Sequence, residues 1–174
     1  ATTGPGGTNA ISGIVEAWVD STPVLVISGQ VNTNQVSKGV RSFGVQGFNI
    51  IENVQNITKY AVQITDPYSI KFHLEKAIHE AYSGRPGPVW LDIPFDIQAQ
   101  KIKSDNLEGF NIESKAEISY EIKINEIVSL IKDSEKPLII FGQGIRSSGA
   151  IDEFESFLET YQIPAICSRM SFDI

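Results

Sequence analysis

Gln30 is the side chain in this sequence placed best for chemistry. It closes the run Val24-Leu-Val-Ile-Ser-Gly-Gln30, at the carboxyl end of an apolar strand, where parallel α/β sheets collect their ligands. A neutral amide donates and accepts without titrating. It could orient a carbonyl or carboxylate, or it could be an ordinary solvated loop residue. Gly4-Pro-Gly-Gly-Thr-Asn9 offers a second kind of chemistry. Glycines ahead of a helix let backbone approach a ligand and leave free N–H groups for an anion. The alternative is a tight strand-to-helix turn that binds nothing, because the spacing matches neither a Walker loop nor a dinucleotide fingerprint.

Arg85 lies between Gly84 and Pro86, just past a helix terminus. Its cation could complement the helix dipole, or its fork could grip a phosphate. Gly142-Gln143-Gly144 after a strand is a weak nucleotide-turn signal. Asp92 in Leu91-Asp-Ile-Pro94 reads as a strand-end hydrogen-bond anchor rather than a catalytic acid. His73 and His79 are six residues apart among charged neighbours. They read as solvent-facing and form no metal constellation. Cys167 reads as a small buried hydrophobe.

The elements that must position these residues alternate. Ile11, Ile14, Val15 and Trp18 mark one face of a helix that Thr8 or Asn9 could cap. Val24–Ile27 reads as a strand buried on both faces, and 32–47 as a loop. A short helix over Phe48–Val54 and a strand over Tyr60–Ile64 follow. Asp66-Pro67 then caps a helix with the stripe Ile70, Leu74, Ala77, Ile78 and Ala81, ended by Gly84. Pro88–Ile93 is another strand. Residues 99–119 are polar and unperiodic, a linker. Beyond them come a helix over 124–131, a strand over Pro137–Phe141, a helix over 151–161 and a strand from Pro164 to Cys167. The rhythm predicts an α/β fold with parallel sheets flanked by helices. Its parts are a first domain over 1–98, a linker over 99–119 and the start of a second, Rossmann-like domain over 120–174.

Composition narrows the partners. A net charge of -7 disfavours nucleic acid. No apolar run reaches the roughly 20 residues needed to span a bilayer, so no membrane partner is expected. One cysteine excludes an internal disulfide framework and fits a reducing cytoplasm.

Taken in order, four motifs resemble thiamine diphosphate-dependent enzymes of the acetolactate synthase type: Gly4–Asn9, Ser28-Gly-Gln-Val31, Gly84–Val89 with Leu91–Pro94, and Pro137–Gly144. The resemblance implies that 1–98 is the C-terminal part of the pyrimidine-binding domain and 120–174 the N-terminal part of the middle domain. It implies that Gly4, Pro5, Gly6 and Asn9 lie at the thiamine diphosphate site and that Gln30 faces the reacting centre. Arg85, Gly142, Gln143 and Gly144 would contact FAD. The implied reaction decarboxylates a 2-keto acid such as pyruvate and ligates the carbanion to a second carbonyl compound, in a homodimer or homotetramer. Magnesium and the cofactor-activating glutamate would lie outside this chain, leaving it inactive alone. Asn32 stands where synthases usually carry proline, and Gly44-Val-Gln-Gly47 stands where they carry Ala-Phe-Gln-Glu. A 2-keto acid decarboxylase, another carboligase, or a non-catalytic α/β binding module are the alternatives.

Overall fold

Helices and strands alternate over most of the described residues of the computed structural model, which describes residues 1–36, 39, 41, 44–112 and 121–174. Parts of the expected 32–47 loop and 99–119 linker lie outside the described residues. The chain forms two compact units, Ala1–Glu113 and Ser114–Ile174.

Unit 1 is built on three parallel strands, β1 (Leu25–Gln30), β2 (Tyr60–Gln63) and β3 (Val89–Pro94), in the order β1-β3-β2. The helix α1 (Pro5–Val19) and the short α2 (Ile50–Val54) pack on one face. The other face receives α3 (Ile70–Tyr82). Alternation along β3 divides the core accordingly. Val89 and Leu91 join Ile64, Ala77 and Ala81 on the α3 side, while Trp90 joins Ile14, Ile50 and Val54 on the α1 side. Trp90, Leu91 and Val89 are fully buried, and each such side chain contributes roughly 1.5–3 kcal/mol relative to exposure.

Several expectations need correcting. β1 is an outer strand, and Leu25 and Ile27 stay 37% and 47% exposed, because α3 sits over β3 and β2. α1 begins at Pro5, with Gly4 as its N-cap and proline in the first turn, so Thr8 and Asn9 are helical. Its buried positions are Gly7, Ile14 and Ala17, leaving Val15 and Trp18 exposed. At Gly7 the inward face is small because the helix approaches closely: a Cβ there would meet Ile50 Cγ1 at 3.3 Å. On α3 the stripe holds except for Ile78, which is exposed. Asp66 caps the 3₁₀ turn Pro67–Ser69 that precedes it, accepting from Tyr68 N, and Gly84 follows it at φ 59°.

His73 and His79 are half-buried rather than fully solvent-facing. Tyr60 Oη lies 2.6 Å from His73 Nδ1, and the His79 ring lies against Phe110. Phe110 also meets Phe72, and its N–H donates to Glu75 Oε2 at 2.7 Å. The stretch up to residue 112, polar in sequence, is therefore anchored on α3 after the short helix α4 (Phe95–Gln98).

Unit 2 comprises α5 (Glu121–Asp133), β4 (Ile139–Phe141), α6 (Gly144–Ser147), α7 (Ile151–Tyr161) and β5 (Ala165–Cys167). β4 and β5 pair in parallel. Phe154 of α7 packs on Phe141 with ring centroids 4.8 Å apart. Cys167 is exposed, contrary to its expected burial: it is the last residue of the second strand of a two-stranded sheet, paired with Phe141, and no further strand flanks it there among the described residues. No helix among the described residues is long and apolar enough to cross a membrane.

Candidate functional site

A row of polar side chains crosses the sheet of unit 1. Register pairs Ser28 with Asp92 and Asp92 with Gln63, so three polar residues stand abreast on the α1 face. In the row behind them stand Val26, Trp90 and Ala61. Gln30, two residues beyond Ser28, shares that face. Burial is extreme for such residues: Asp92 is 0%, Ser28 1% and Gln30 4% exposed. Buried polar groups must be hydrogen-bonded, and here they satisfy one another.

Asp92 is the hub. Ser28 Oγ donates to Oδ1 at 2.5 Å. Gln30 Nε2 and Gln63 Nε2 donate to Oδ2 at 3.1 and 3.0 Å. Trp90 Nε1 donates to Ser28 Oγ at 2.8 Å, which ties the network to the apolar core. Asp92 is thus an anchor with three side-chain donors.

Gln30 is more enclosed than its place at a strand end predicts. Its Nε2 also donates to Phe48 O at 2.9 Å. Its Oε1 accepts from Val31 N at 2.9 Å and Thr3 Oγ1 at 3.0 Å. The Thr3 hydroxyl also donates to Gln46 O at 2.6 Å. Gln30 is thereby roofed by the segment 44–48 and by the residues leading into α1.

Gly4 explains how the roof fits. Its φ is 59°, and a Cβ there would lie 2.6 Å from Val45 O. Gly4 therefore receives its own chain's loop. Gly6 and Asn9 lie in the first turns of α1, whose N-terminus has no side-chain cap. Pro5 and Asn9 are exposed and Gly6 half-buried. The turn after β1 is tied to α4: Thr33 N and Oγ1 donate to the Asp96 carboxylate at 3.0 and 2.6 Å. The Thr33 hydroxyl is the main cause holding Asp96 below its ordinary pKa.

Arg85 is not part of this cluster. It precedes β3 and so lies at the opposite, amino edge of the sheet. Its Nε donates to Ser21 Oγ at 2.6 Å and an Nη to Val19 O at 3.1 Å, beyond the end of α1. With Trp18, Val19, Lys59 and Pro86 it lines a cleft of about 530 Å³, in which Lys59 Nζ donates to Ser83 O. In unit 2, Gly142 and Gln143 lead from β4 into α6, which Gly144 opens. Gln143 Oε1 accepts from Arg146, and Arg146 pairs with Asp173 at 2.8 Å. Among the described residues no three His, Cys, Asp or Glu side chains are grouped to hold a metal ion.

Sequence reasoning missed Ser28, Gln63 and Thr3. A signal existed for Ser28: it lies two residues from Gln30 in an otherwise apolar strand, hence on the same face. Gln63 and Thr3 carried none.

Residues 1–63 match the thiamine pyrophosphate enzyme N-terminal TPP binding domain, and residues 124–174 match the thiamine pyrophosphate enzyme central domain. The chain belongs to the thiamine pyrophosphate enzymes. The acetolactate synthase large subunit of Lactococcus lactis is 37% identical over 174 residues, 97% of this chain and 29% of that protein. Acetolactate synthase 2, chloroplastic, of Nicotiana tabacum is 35% identical over 98% of this chain and 25% of its own length. The 2-hydroxyacyl-CoA lyase of Arabidopsis thaliana is 33% identical over 96% of this chain and 30% of its own length. The chain thus spans under a third of each of these relatives. The parallel sheets flanked by helices are those the α/β reading predicts.

Proposed function

We propose that this chain forms part of a thiamine diphosphate-dependent enzyme that decarboxylates a 2-keto acid such as pyruvate and joins the remaining fragment to a second carbonyl compound. The observation that carries this reading is similarity along nearly the whole chain to an acetolactate synthase large subunit, at 37% identity. In this reading 1–98 is the C-terminal part of the pyrimidine-binding domain, 99–119 a linker and 120–174 the start of the middle domain. The division into units near residue 113 and the two family matches support that layout.

In this reading one side of the cofactor would be met by the residues around the start of α1. The uncapped N-terminus of α1 carries Gly4, Pro5, Gly6 and Asn9, and Gln30 lies beneath the segment that Gly4 receives. When bound, thiamine diphosphate stabilises the negative charge left when carbon dioxide departs. This chain's part is orientation: Gln30 holds a ligand group at a fixed polar atom, and the 44–48 roof excludes water. Magnesium enters only through the family, held by residues outside 1–174. FAD would draw on Arg85 and on Gly142, Gln143 and Gly144, although two nitrogens of the Arg85 guanidinium already serve Ser21 and Val19. A homodimer or homotetramer in the cytoplasm, acting on small keto acids and on neither nucleic acid nor membrane, completes the proposal.

A second reading is favoured by the 2-hydroxyacyl-CoA lyase relative and by Gly44-Val-Gln-Gly47, where synthases carry Ala-Phe-Gln-Glu. Product analysis separates the two. Intact protein given pyruvate, thiamine diphosphate and magnesium should form acetolactate. Carbon dioxide without acetolactate, together with cleavage of a 2-hydroxyacyl thioester, would move the assignment to the lyase reading.

A further inference from the structure

We infer that Asp92 is a positioning residue that fixes the amide polarity of Gln30, so that Gln30 meets a bound ligand only as a hydrogen-bond acceptor. The inference rests on the functional reading above and narrows it. Both Nε2 protons of Gln30 are committed, one to Phe48 O at 2.9 Å and one to Asp92 Oδ2 at 3.1 Å. On Oε1, Val31 N–H takes one lone pair at 2.9 Å. The other faces Thr3 Oγ1 at 3.0 Å, but that hydroxyl has a shorter bond to Gln46 O at 2.6 Å. One hydroxyl proton cannot fully serve two acceptors. The two oxygens compete for it, and Oε1 retains a lone pair that a ligand donor can claim in place of Thr3.

Turning the amide over would set N–H against Val31 N–H, and oxygen against both Phe48 O and Asp92 Oδ2. Three contacts therefore oppose the flip, and Asp92 is the only one made by a side chain. Asp92 is itself immobilised by Ser28 and Gln63, with Trp90 behind Ser28. The amide could in principle serve either polarity; this geometry removes the donor half. A ligand carboxylate or ketone oxygen finds no free proton at Gln30. A ligand hydroxyl or amino N–H finds an oriented acceptor, and the carboxylate of a 2-keto acid must be held elsewhere.

Side-chain amide exchange and kinetics test this together in the intact protein labelled with ¹⁵N-glutamine. The Gln30 signal, assigned by its loss in Gln30→Ala, should exchange at least about tenfold more slowly than that of exposed Gln55. Asp92→Leu should reduce the protection, by freeing the one Nε2 proton that Asp92 holds, and lower kcat/KM for pyruvate by about 10²-fold, without a matching loss of thiamine diphosphate affinity. In a Gln30→Ala background Asp92→Leu should add no further loss. Asp92→Asn, which can turn its oxygen to the glutamines and its NH₂ to Ser28, should restore both protection and kcat/KM. An unprotected Gln30 in the unmutated protein would overturn the inference, as would a multiplicative loss in the double variant. So would Asp92→Asn losing as much as Asp92→Leu. Where Asp92→Leu does not fold, the unmutated protein and Asp92→Asn decide. The exchange measurement needs no turnover, so it separates failure of this inference from failure of the functional reading.

Discussion

Units 1 and 2 share one construction, parallel strands joined through helices, and differ in what the construction encloses. Among the described residues every buried hydrophobic side chain lies in unit 1, the last being Leu91, while the buried residue in unit 2 is Ser171. A three-stranded sheet with helices on both faces encloses two apolar clusters, one on each side of β3, although β1 is covered on the α1 face only. Two strands covered on one face leave Ile140 and Ile166, which are cross-strand partners, 73% and 51% exposed. A two-stranded sheet is marginal by itself. The difference shows where precise polar chemistry can be held. A buried network such as Ser28–Asp92–Gln30 needs a rigid apolar surround, and only unit 1 supplies one.

The strongest way to break this contrast is to overload the network. Gln30→Glu places a second carboxyl where the amide stood 3.1 Å from Asp92 Oδ2, at a buried position. Like charges so close disfavour ionisation, and the loss should be about 3–5 kcal/mol by chemical unfolding. Asp92→Asn in the same chain should recover part of it, leaving the cost at Phe48 O.

Core truncation sharpens the comparison. Leu91→Ala should cost about 2–5 kcal/mol, whereas Ile140→Ala should change stability by less than about 0.5 kcal/mol. In native-state hydrogen exchange the β3 amides should be protected to near the global unfolding energy, and the β4 and β5 amides far less. Equal protection in both sheets would abolish the distinction. Gly4→Ala is a smaller test. At φ 59° and ψ -117° the backbone alone costs an alanine about 1–3 kcal/mol, and the methyl would also push Val45 away, so the loss by chemical unfolding should reach at least that range.

The smallest effect is a pH dependence confined to unit 1. Burial, and secondarily the Lys76 cation, hold His73 below its ordinary value of 6.5. A depressed histidine favours folding fully above the unfolded value. That contribution is lost as pH falls through the folded value, because the unfolded chain then gains the proton first. Stability should therefore decline as pH drops below about 6.5, and His73→Gln should flatten the slope.

Much of this was legible in residue order. Proline at the first turn of a helix, glycine after its last and β-branched runs between them located most elements, because those signals are local. Rotation was less legible: α1 buries Ile14 as its apolar stripe predicts, but Gly7 and Ala17 in place of Val15 and Trp18, and at Gly7 the approach of Ile50 and Trp90 leaves room only for a small residue. β1 reads as buried on both faces, since apolar character does not say which strand lies at an edge. At the site, Gln30 was visible as a strand-end amide, but its partners were not. Asp92 lies 62 residues away, and nothing local announces a cross-strand register that puts three polar residues in one row.

The most direct test of the whole account is carbon dioxide release from pyruvate by the intact protein, measured with and without thiamine diphosphate and magnesium. The account predicts turnover that depends on thiamine diphosphate. An absence of cofactor-dependent turnover across a panel of 2-keto acids would contradict it.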